Sequence, residues 1–236
     1  MKPADRLLVA LDVEGLGEAE ALMGRLAGVV TGCKIGTQLF TAAGPAAVEA
    51  ARKRGLRVFL DLKYHDIPNT VAGAVREATR LGVFMLNVHA SGGLAMMRAA
   101  AEAATKAARD FGVPRPLCLG VTVLTSLDRA TLEREVGVTA SVEAHVLRLA
   151  ERAREAELDG CVASPREIRM LRVALGNRWV IVTPGIRPAE RADDQARVAT
   201  PRQARDAGAD YLVVGRPITA AADPAAVARD IVSQLE

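Results

Sequence analysis

Eight short apolar runs, separated by segments rich in Ala, Arg and Glu, recur along the 236 residues of the chain. A short apolar run bounded by turn residues is typical of a buried strand, and the intervening segments have the length and composition of helices. Strands are predicted at positions 7–11, 32–35, 58–62, 84–88, 117–123, 160–163, 180–182 and 211–214. Helices are predicted at positions 18–27, 45–54, 70–81, 94–111, 141–157, 165–175, 201–207 and 224–235.

This alternation predicts parallel strands joined by right-handed crossovers. Eight units in 236 residues give about 30 residues per unit, close to the ~250 residues typical of a (β/α)8 barrel. A doubly wound open sheet is the alternative, but DVEG at positions 12–15 stands where a Gly-x-Gly-x-x-Gly turn would follow the first strand. We therefore predict an α/β fold, a (β/α)8 TIM barrel, as a single domain over residues 1–236.

Composition limits the classes of partner. Hydrophobic residues make up 50% of the chain but aromatic residues only 3%, so the core must consist mainly of Ala, Val, Leu and Ile. The net charge of +3 is too small to indicate a nucleic acid or a membrane surface. Cys33, Cys118 and Cys161 lie in apolar runs, as buried thiols do in a reducing compartment. With no apolar run near the ~20 residues that span a bilayer, we expect a cytoplasmic protein.

The segment DLKYHDIPNT at positions 61–70 directly follows an apolar run at 57–60. Side chains two apart on a strand share a face, so Asp61 and Lys63 should lie side by side as an ion pair. An incidental ion pair in a solvated loop would use the same residues. The charge pattern alone therefore leaves the function of this segment open.

The second half of the segment should leave the strand. Pro68 bars regular pairing, and Asn69 or Thr70 is expected to cap the next helix. Asp66 lies past the end of the strand, so the loop can direct it elsewhere.

Lysine is rare, with five Lys against 26 Arg. An Arg side chain does not release its proton near neutral pH, whereas a Lys side chain can be tuned to do so. Lys34 and Lys63 both follow apolar runs and are the candidates for proton transfer.

In a (β/α)8 barrel the chemistry lies at the carboxyl ends of the strands, and phosphate commonly binds after strands seven and eight. Arg187 follows the seventh predicted strand, and Gly215 and Arg216 follow the eighth. A guanidinium is a fork of donors suited to phosphate, and Gly lets the backbone approach closely. A turn glycine beside a surface arginine is the alternative interpretation.

Six segments, from the first strand to the last, resemble motifs of the orotidine 5'-phosphate decarboxylase family: positions 9–12, 33–36, 61–70, 121–126, 183–187 and 214–218. The Asp-x-Lys-x-x-Asp core is shared with related sugar-phosphate enzymes, whereas the Ile-Pro-Asn-Thr that follows resembles the form specific to orotidine 5'-monophosphate (OMP). The resemblance implies decarboxylation of OMP to UMP in pyrimidine biosynthesis, with no metal and no cofactor.

The resemblance also implies catalytic roles for four residues. Lys63 would stabilise and protonate the C6 carbanion, and Asp61 would position Lys63 or repel the substrate carboxylate. Lys34 would hold the charged network. Asp66 would complete the site of the partner subunit, which implies a homodimer.

Further substrate contacts are implied for eight other residues: Asp12, Ile67, Thr70, Thr125, Arg187, Gln195, Gly215 and Arg216. Among them, Ile67 would come from the partner subunit and Asp12 would bind a ribose hydroxyl. Thr125 is the expected pyrimidine contact, with Thr122 and Ser126 as alternatives. The loop 185–200 would close over the phosphate.

Other functions stay open at this point. Lys63 could form a Schiff base in a barrel lyase, the chain could be a magnesium-dependent sugar-phosphate relative, or it could be a non-catalytic phosphate-ligand sensor. The histidines, His65, His89 and His145, lack metal-ligand spacing, so we expect no metal and assign them no catalytic role.

Overall fold

The computed structural model describes residues 1–187 and 198–236. These residues form eight strands: β1 (Leu7–Ala10), β2 (Gly32–Gly36), β3 (Arg57–Tyr64), β4 (Met85–His89), β5 (Leu117–Val121), β6 (Gly160–Val162), β7 (Val180–Thr183) and β8 (Tyr211–Val214). Every neighbouring pair is parallel, and β1 pairs with both β2 and β8. The strands close in chain order into a barrel. The predicted (β/α)8 fold is confirmed.

Twelve α-helices occur in the same ranges: α1 (Pro3–Arg6), α2 (Leu16–Arg25), α3 (Thr37–Ala43), α4 (Pro45–Lys53), α5 (Pro68–Arg80), α6 (Leu94–Phe111), α7 (Arg129–Arg134), α8 (Val142–Glu155), α9 (Ile168–Leu175), α10 (Pro201–Ala207), α11 (Arg216–Thr219) and α12 (Pro224–Ser233). Two 3₁₀ turns, Ala90–Gly92 and Pro165–Glu167, complete the described elements. None of these helices is both long and apolar enough to cross a membrane.

All eight predicted strands are present with ends within two residues, and the predicted helices agree about as well, except that 165–175 begins as a 3₁₀ turn. Four short helices, α1, α3, α7 and α11, were not predicted because four to seven residues are too few to show helical periodicity. The predicted cap at Asn69 or Thr70 is wrong. Helix α5 begins at Pro68, whose fixed φ suits the first helical position, and Ile67 is the N-cap.

Alternation along the strands divides the core in two. One cluster contains only strand residues and fills the barrel interior: Leu8, Ala10, Phe59, Met85, Leu119, Val182, Tyr211 and Val213. The intervening strand residues, such as Leu7 and Val9, belong to a larger cluster shared with the helices. Charged residues in the barrel interior therefore lie above the first of these clusters, which forms an apolar floor.

Small side chains bring the helices close to the barrel, as the composition predicts. Helix α6 buries five alanines, at positions 100, 101, 104, 107 and 108. The three cysteines are also buried, and burial raises the pKa of the Cys33, Cys118 and Cys161 thiols to about 12. They act as small apolar residues.

Barrel closure depends on a close approach at Gly160 on β6. A Cβ placed there would lie 2.2 Å from the Val180 backbone oxygen on β7. Gly160→Ala should lower the free energy of unfolding by about 1–3 kcal/mol, because the strands must separate to admit the methyl group. Chemical denaturation measures this.

The matched control is Gly24→Ala on the exposed face of α2, where a Cβ meets nothing within 4 Å. Alanine is favoured over glycine within a helix, so this variant should be neutral or more stable by up to about 1 kcal/mol. Equal stability of Gly160→Ala and the wild type would contradict the steric argument.

Candidate active site at the barrel mouth

The register of the first three strands sets the level of each inward side chain. Lys34 pairs with Ala10 on β1 and with Phe59 on β3. Ala10 and Phe59 belong to the interior cluster, and paired residues of parallel strands point to the same face. Lys34 therefore points into the barrel at the level of Ala10 and Phe59, the uppermost apolar residues of β1 and β3 in that cluster.

The next level towards the carboxyl end contains Asp12, Gly36 and Asp61. Gly36 pairs with Asp61, and Asp12 lies two residues beyond Ala10. A Cβ at Gly36 would lie 2.9 Å from both the Asp12 Oδ1 and the Lys34 Nζ atoms. The absence of a side chain at Gly36 thus leaves room for the Lys34 ammonium to rise between the two carboxylates.

The four charged groups form a chain of alternating sign. Lys34 Nζ lies 2.9 Å from Asp12 Oδ1 and 3.4 Å from Asp61 Oδ2, while Lys63 Nζ lies 2.7 Å from Asp61 Oδ1. Lys34 and Asp61 are each only 8% exposed. The Lys63 side chain keeps 33% of its accessible surface and so faces the open mouth of the barrel. The predicted Asp61–Lys63 ion pair is confirmed.

Asn87 on β4 joins this network and was missed by the sequence analysis. Its Nδ2 donates to Asp61 Oδ1 over 2.7 Å, and its Oδ1 accepts a hydrogen bond from the Lys63 backbone N–H over 2.8 Å. The side chain is completely buried. A signal was present, since Asn87 is a polar residue inside the apolar run 84–88, where a buried amide must find partners.

A cavity of about 560 Å³ opens above these charges. Its walls include eight of the predicted site residues: Asp12, Lys34, Asp61, Lys63, Thr125, Arg187, Gly215 and Arg216. Its floor is apolar and includes Phe59, Val121, Val162 and Val213. Two arginines and a glycine after β7 and β8 therefore share one cavity with the charged residues of β1–β3.

Thr125 lines the cavity, whereas the alternatives Thr122 and Ser126 do not. The Thr122 hydroxyl instead donates to the Val162 carbonyl oxygen over 2.9 Å, and Ser126 is exposed. Of the three hydroxyls, only that of Thr125 is positioned to meet a molecule in the cavity.

Three predicted residues that follow β3 do not line the cavity of their own chain. Asp66, Ile67 and Thr70 are exposed, and Ile67 retains 67% of its accessible surface. The Asp66 carboxylate accepts a hydrogen bond from the Ile67 N–H over 2.6 Å. Gln195 lies outside the described residues.

His89 ends β4 next to the charged network, with its ring centroid 5.3 Å from that of His65. Burial lowers the pKa of His89, and the charges of His65 and Lys63 lower it further against the opposing effect of Asp61. No group of three or more His, Cys, Asp or Glu side chains suited to a metal ion occurs in residues 1–187 and 198–236.

A parallel barrel whose charged and anion-binding groups meet at the carboxyl ends of the strands has the architecture of the (β/α)8 enzymes. The model of one such family, the orotidine 5'-phosphate decarboxylase / HUMPS family, matches residues 5–231. The chain belongs to this family.

Individual relatives agree along the whole chain. It is 56% identical to the orotidine 5'-phosphate decarboxylase of Moorella thermoacetica, covering 100% of this chain and 94% of the relative. It is 52% identical to the enzyme of the same name from Pelobacter propionicus, covering 98% and 95%. The crystal structure of orotidine 5'-phosphate decarboxylase from Lactobacillus acidophilus superposes with a TM-score of 0.87 at 34% identity, covering 98% of this chain and 99% of that one.

The lowered pKa of His89 predicts a loss of stability in acid. In the unfolded chain His89 binds a proton near its ordinary pKa of ~6.5, while the folded protein resists protonation until lower pH. The contribution of neutral His89 to the free energy of unfolding is therefore complete above about pH 6.5. It is lost as the pH falls through the pKa of His89 in the folded protein. His89→Gln should flatten the decline of unfolding free energy between pH 7 and 5.

His145→Gln on helix α8 is the comparison, since burial and Arg148 also lower the pKa of His145. The two substitutions should flatten the pH dependence additively, because neither histidine is among the causes of the other's lowered pKa. If the unfolding free energy of His89→Gln has the same pH dependence as that of the wild type, the lowered pKa of His89 would be contradicted. Denaturant titrations across this pH range provide the measurement.

Proposed function

We propose that the chain, acting as one barrel domain, decarboxylates OMP to UMP in pyrimidine biosynthesis without a metal or an organic cofactor. One observation carries the proposal. The alternating network ends in the Lys63 ammonium at the cavity, and Arg187 and Arg216 line that same cavity. A substrate with a reacting anionic centre and a separate phosphate matches this arrangement. The free, buried cysteines support a cytoplasmic location.

The reaction makes a specific demand on the protein. Breaking the bond between C6 and the carboxylate releases carbon dioxide and leaves the electron pair on C6, where the ring delocalises it poorly. The Lys63 ammonium interacts more favourably with C6 as negative charge concentrates there, which lowers the barrier rather than only tightening binding. Lys63 then transfers a proton to C6, giving UMP, and regains a proton from solvent.

Asp61 and Lys34 support this step. Asp61 lies 2.7 Å from the Lys63 ammonium and fixes its position, and Lys34 holds the second oxygen of Asp61 at 3.4 Å. A substrate carboxylate bound beside Asp61 would also be repelled by it, which is a second way for the same residue to act.

Substrate binding is assigned to the remaining walls of the cavity. Arg187, Gly215 and Arg216 bind the phosphate, Thr125 contacts the pyrimidine, and Asp12 binds a ribose hydroxyl. Support comes from their common cavity and from the usual phosphate site of this fold after strands seven and eight. Because the phosphate is remote from C6, its binding energy can be used to orient the reacting centre. The contact of Gln195 with the phosphate stays a prediction.

Asp66 and Ile67 complete the site of a partner subunit in a homodimer. Two observations support this part of the proposal. Neither residue lines the cavity of its own chain, and Ile67 exposes an apolar side chain to solvent although it lies only four positions after Lys63. Thr70, in the first turn of α5, is also assigned to substrate binding.

Purified protein with an added chelator should consume OMP, measured as the loss of its ultraviolet absorbance. Lys63→Ala should lower kcat by at least about 10³-fold, because it removes both the charge and the proton donor. Binding of UMP, measured by calorimetry, should be retained. Lys63→Arg should be nearly as inactive, since a guanidinium with a pKa above ~12 is a poor proton donor.

Activity of Lys63→Ala within tenfold of the wild type would exclude the proposed role. Dependence of the wild type on added magnesium, or trapping of a substrate adduct on Lys63 by borohydride, would instead favour the related metal-dependent enzymes or a Schiff-base lyase.

Subunit sharing predicts complementation between two inactive variants. Asp66→Ala and Lys63→Ala homodimers should each have little activity, but a mixed dimer contains one site free of both substitutions. With random pairing, half the dimers are mixed and half their sites are intact, so about a quarter of wild-type activity should return. Assays before and after subunit exchange measure the recovery.

If Asp66 and Lys63 serve the same site, every site in the mixture carries one substitution and no activity returns. A mixture of Lys63→Ala with Asp61→Ala is the matched control. These two residues ion pair within one chain, so this mixture should show no recovery.

A further inference from the structure

Asn87, which lies outside the cavity wall, connects two features of the site. Its amide lies between the carboxylate of Asp61 and the backbone of Lys63, at 2.7 and 2.8 Å. A carboxylate only accepts and a backbone N–H only donates, so the orientation of the amide is determined. Both ends of the side chain are used, and the residue is completely buried.

The backbone of Lys63 needs such a partner. Lys63 has φ of +51°, in the left-handed region that residues other than glycine rarely adopt. The pairing of β3 with β4 shifts register between Leu60 and Tyr64, which interrupts the regular ladder around Lys63. The Asn87 side chain supplies an acceptor to the Lys63 N–H at this irregularity, and thereby holds the conformation from which the Lys63 side chain projects.

Asn87 also helps to fix the rotation of the Asp61 carboxylate. Asn87 Nδ2 and Lys63 Nζ each lie 2.7 Å from the same atom, Asp61 Oδ1. Lys34 approaches the other oxygen. Rotation of the Asp61 carboxylate would break the hydrogen bond from Asn87 as well as the ion pairs.

We propose that Asn87 is a positioning residue for the decarboxylation, which sets the backbone of Lys63 and the carboxylate of Asp61 together. It is absent from the cavity wall, so it acts through these two residues and not on the substrate. The predicted effect of Asn87 on decarboxylation rests on the proposed function. The hydrogen bond from the Lys63 N–H to Asn87 does not depend on that function.

The test combines steady-state kinetics on OMP with hydrogen exchange of the Lys63 amide. Asn87→Ala should lower kcat by about 10- to 100-fold, the loss expected for a hydrogen bond to a charged group. KM should change less than about threefold because the phosphate contacts are untouched. The Lys63 amide should exchange at least about tenfold faster, because its acceptor is gone.

Asn87→Asp separates the two hydrogen bonds and has nearly the shape of the original side chain. It retains an acceptor for the Lys63 N–H, so protection of that amide should persist. It places a second carboxylate against Asp61, and two adjacent carboxylates raise the pKa of one of them. As the pH falls through that raised pKa, the protonated group can donate to Asp61, so kcat relative to the wild type should rise. A purely structural role would leave that ratio independent of pH.

Val88→Ala is the control for loss of a buried side chain on the same strand. Val88 is completely buried in the outer cluster shared with the helices, so this variant should lose stability but retain kcat and the protection of the Lys63 amide. Wild-type protein inactive on OMP would overturn the proposed function, while the exchange data would still test the hydrogen bond. If the wild type is active, an Asn87→Ala kcat within threefold of the wild-type value would overturn the role of Asn87. An equal loss of kcat in Val88→Ala and Asn87→Ala would overturn it as well.

Discussion

A buried carboxylate sets the requirements for the rest of this site. Asp61 is 8% exposed, and burial of an isolated anion costs far more than a folded protein can sustain without compensating charges and hydrogen bonds. Lys34, Lys63 and Asn87 supply that compensation from three strands. Because the same donors must reach one small group, Asp61 also fixes where the Lys63 ammonium lies.

The apolar interior of the barrel makes this network effective. Side chains such as Phe59 and Val213 fill the space below the charges, which excludes water and strengthens electrostatic interactions above them. The exposed side of Lys63 faces the cavity, so its charge is directed to a bound molecule. The left-handed backbone at Lys63 is conformational strain at the residue proposed to act on the substrate, and the surrounding structure maintains it.

The fold was predictable because each βα unit carries its own signal. A buried parallel strand is an apolar run whatever its partners are, and an amphipathic helix shows its period locally. Short elements such as α3 and α11 lack that signal and were missed. Pro68 shifted the start of α5 by two residues because a proline at the first helical position needs no side-chain cap.

The order of strands and helices, the charged residues at the strand ends and the spacing that pairs Asp61 with Lys63 can all be read from the chain without its fold. The position of Lys34 over Gly36 between two carboxylates, and the membership of Asn87 in the network, become visible in the folded barrel. Strand register accounts for this difference. Which inward side chains share a level depends on how β1, β2, β3 and β4 align across the sheet, and that alignment is a property of the closed barrel and not of any one segment.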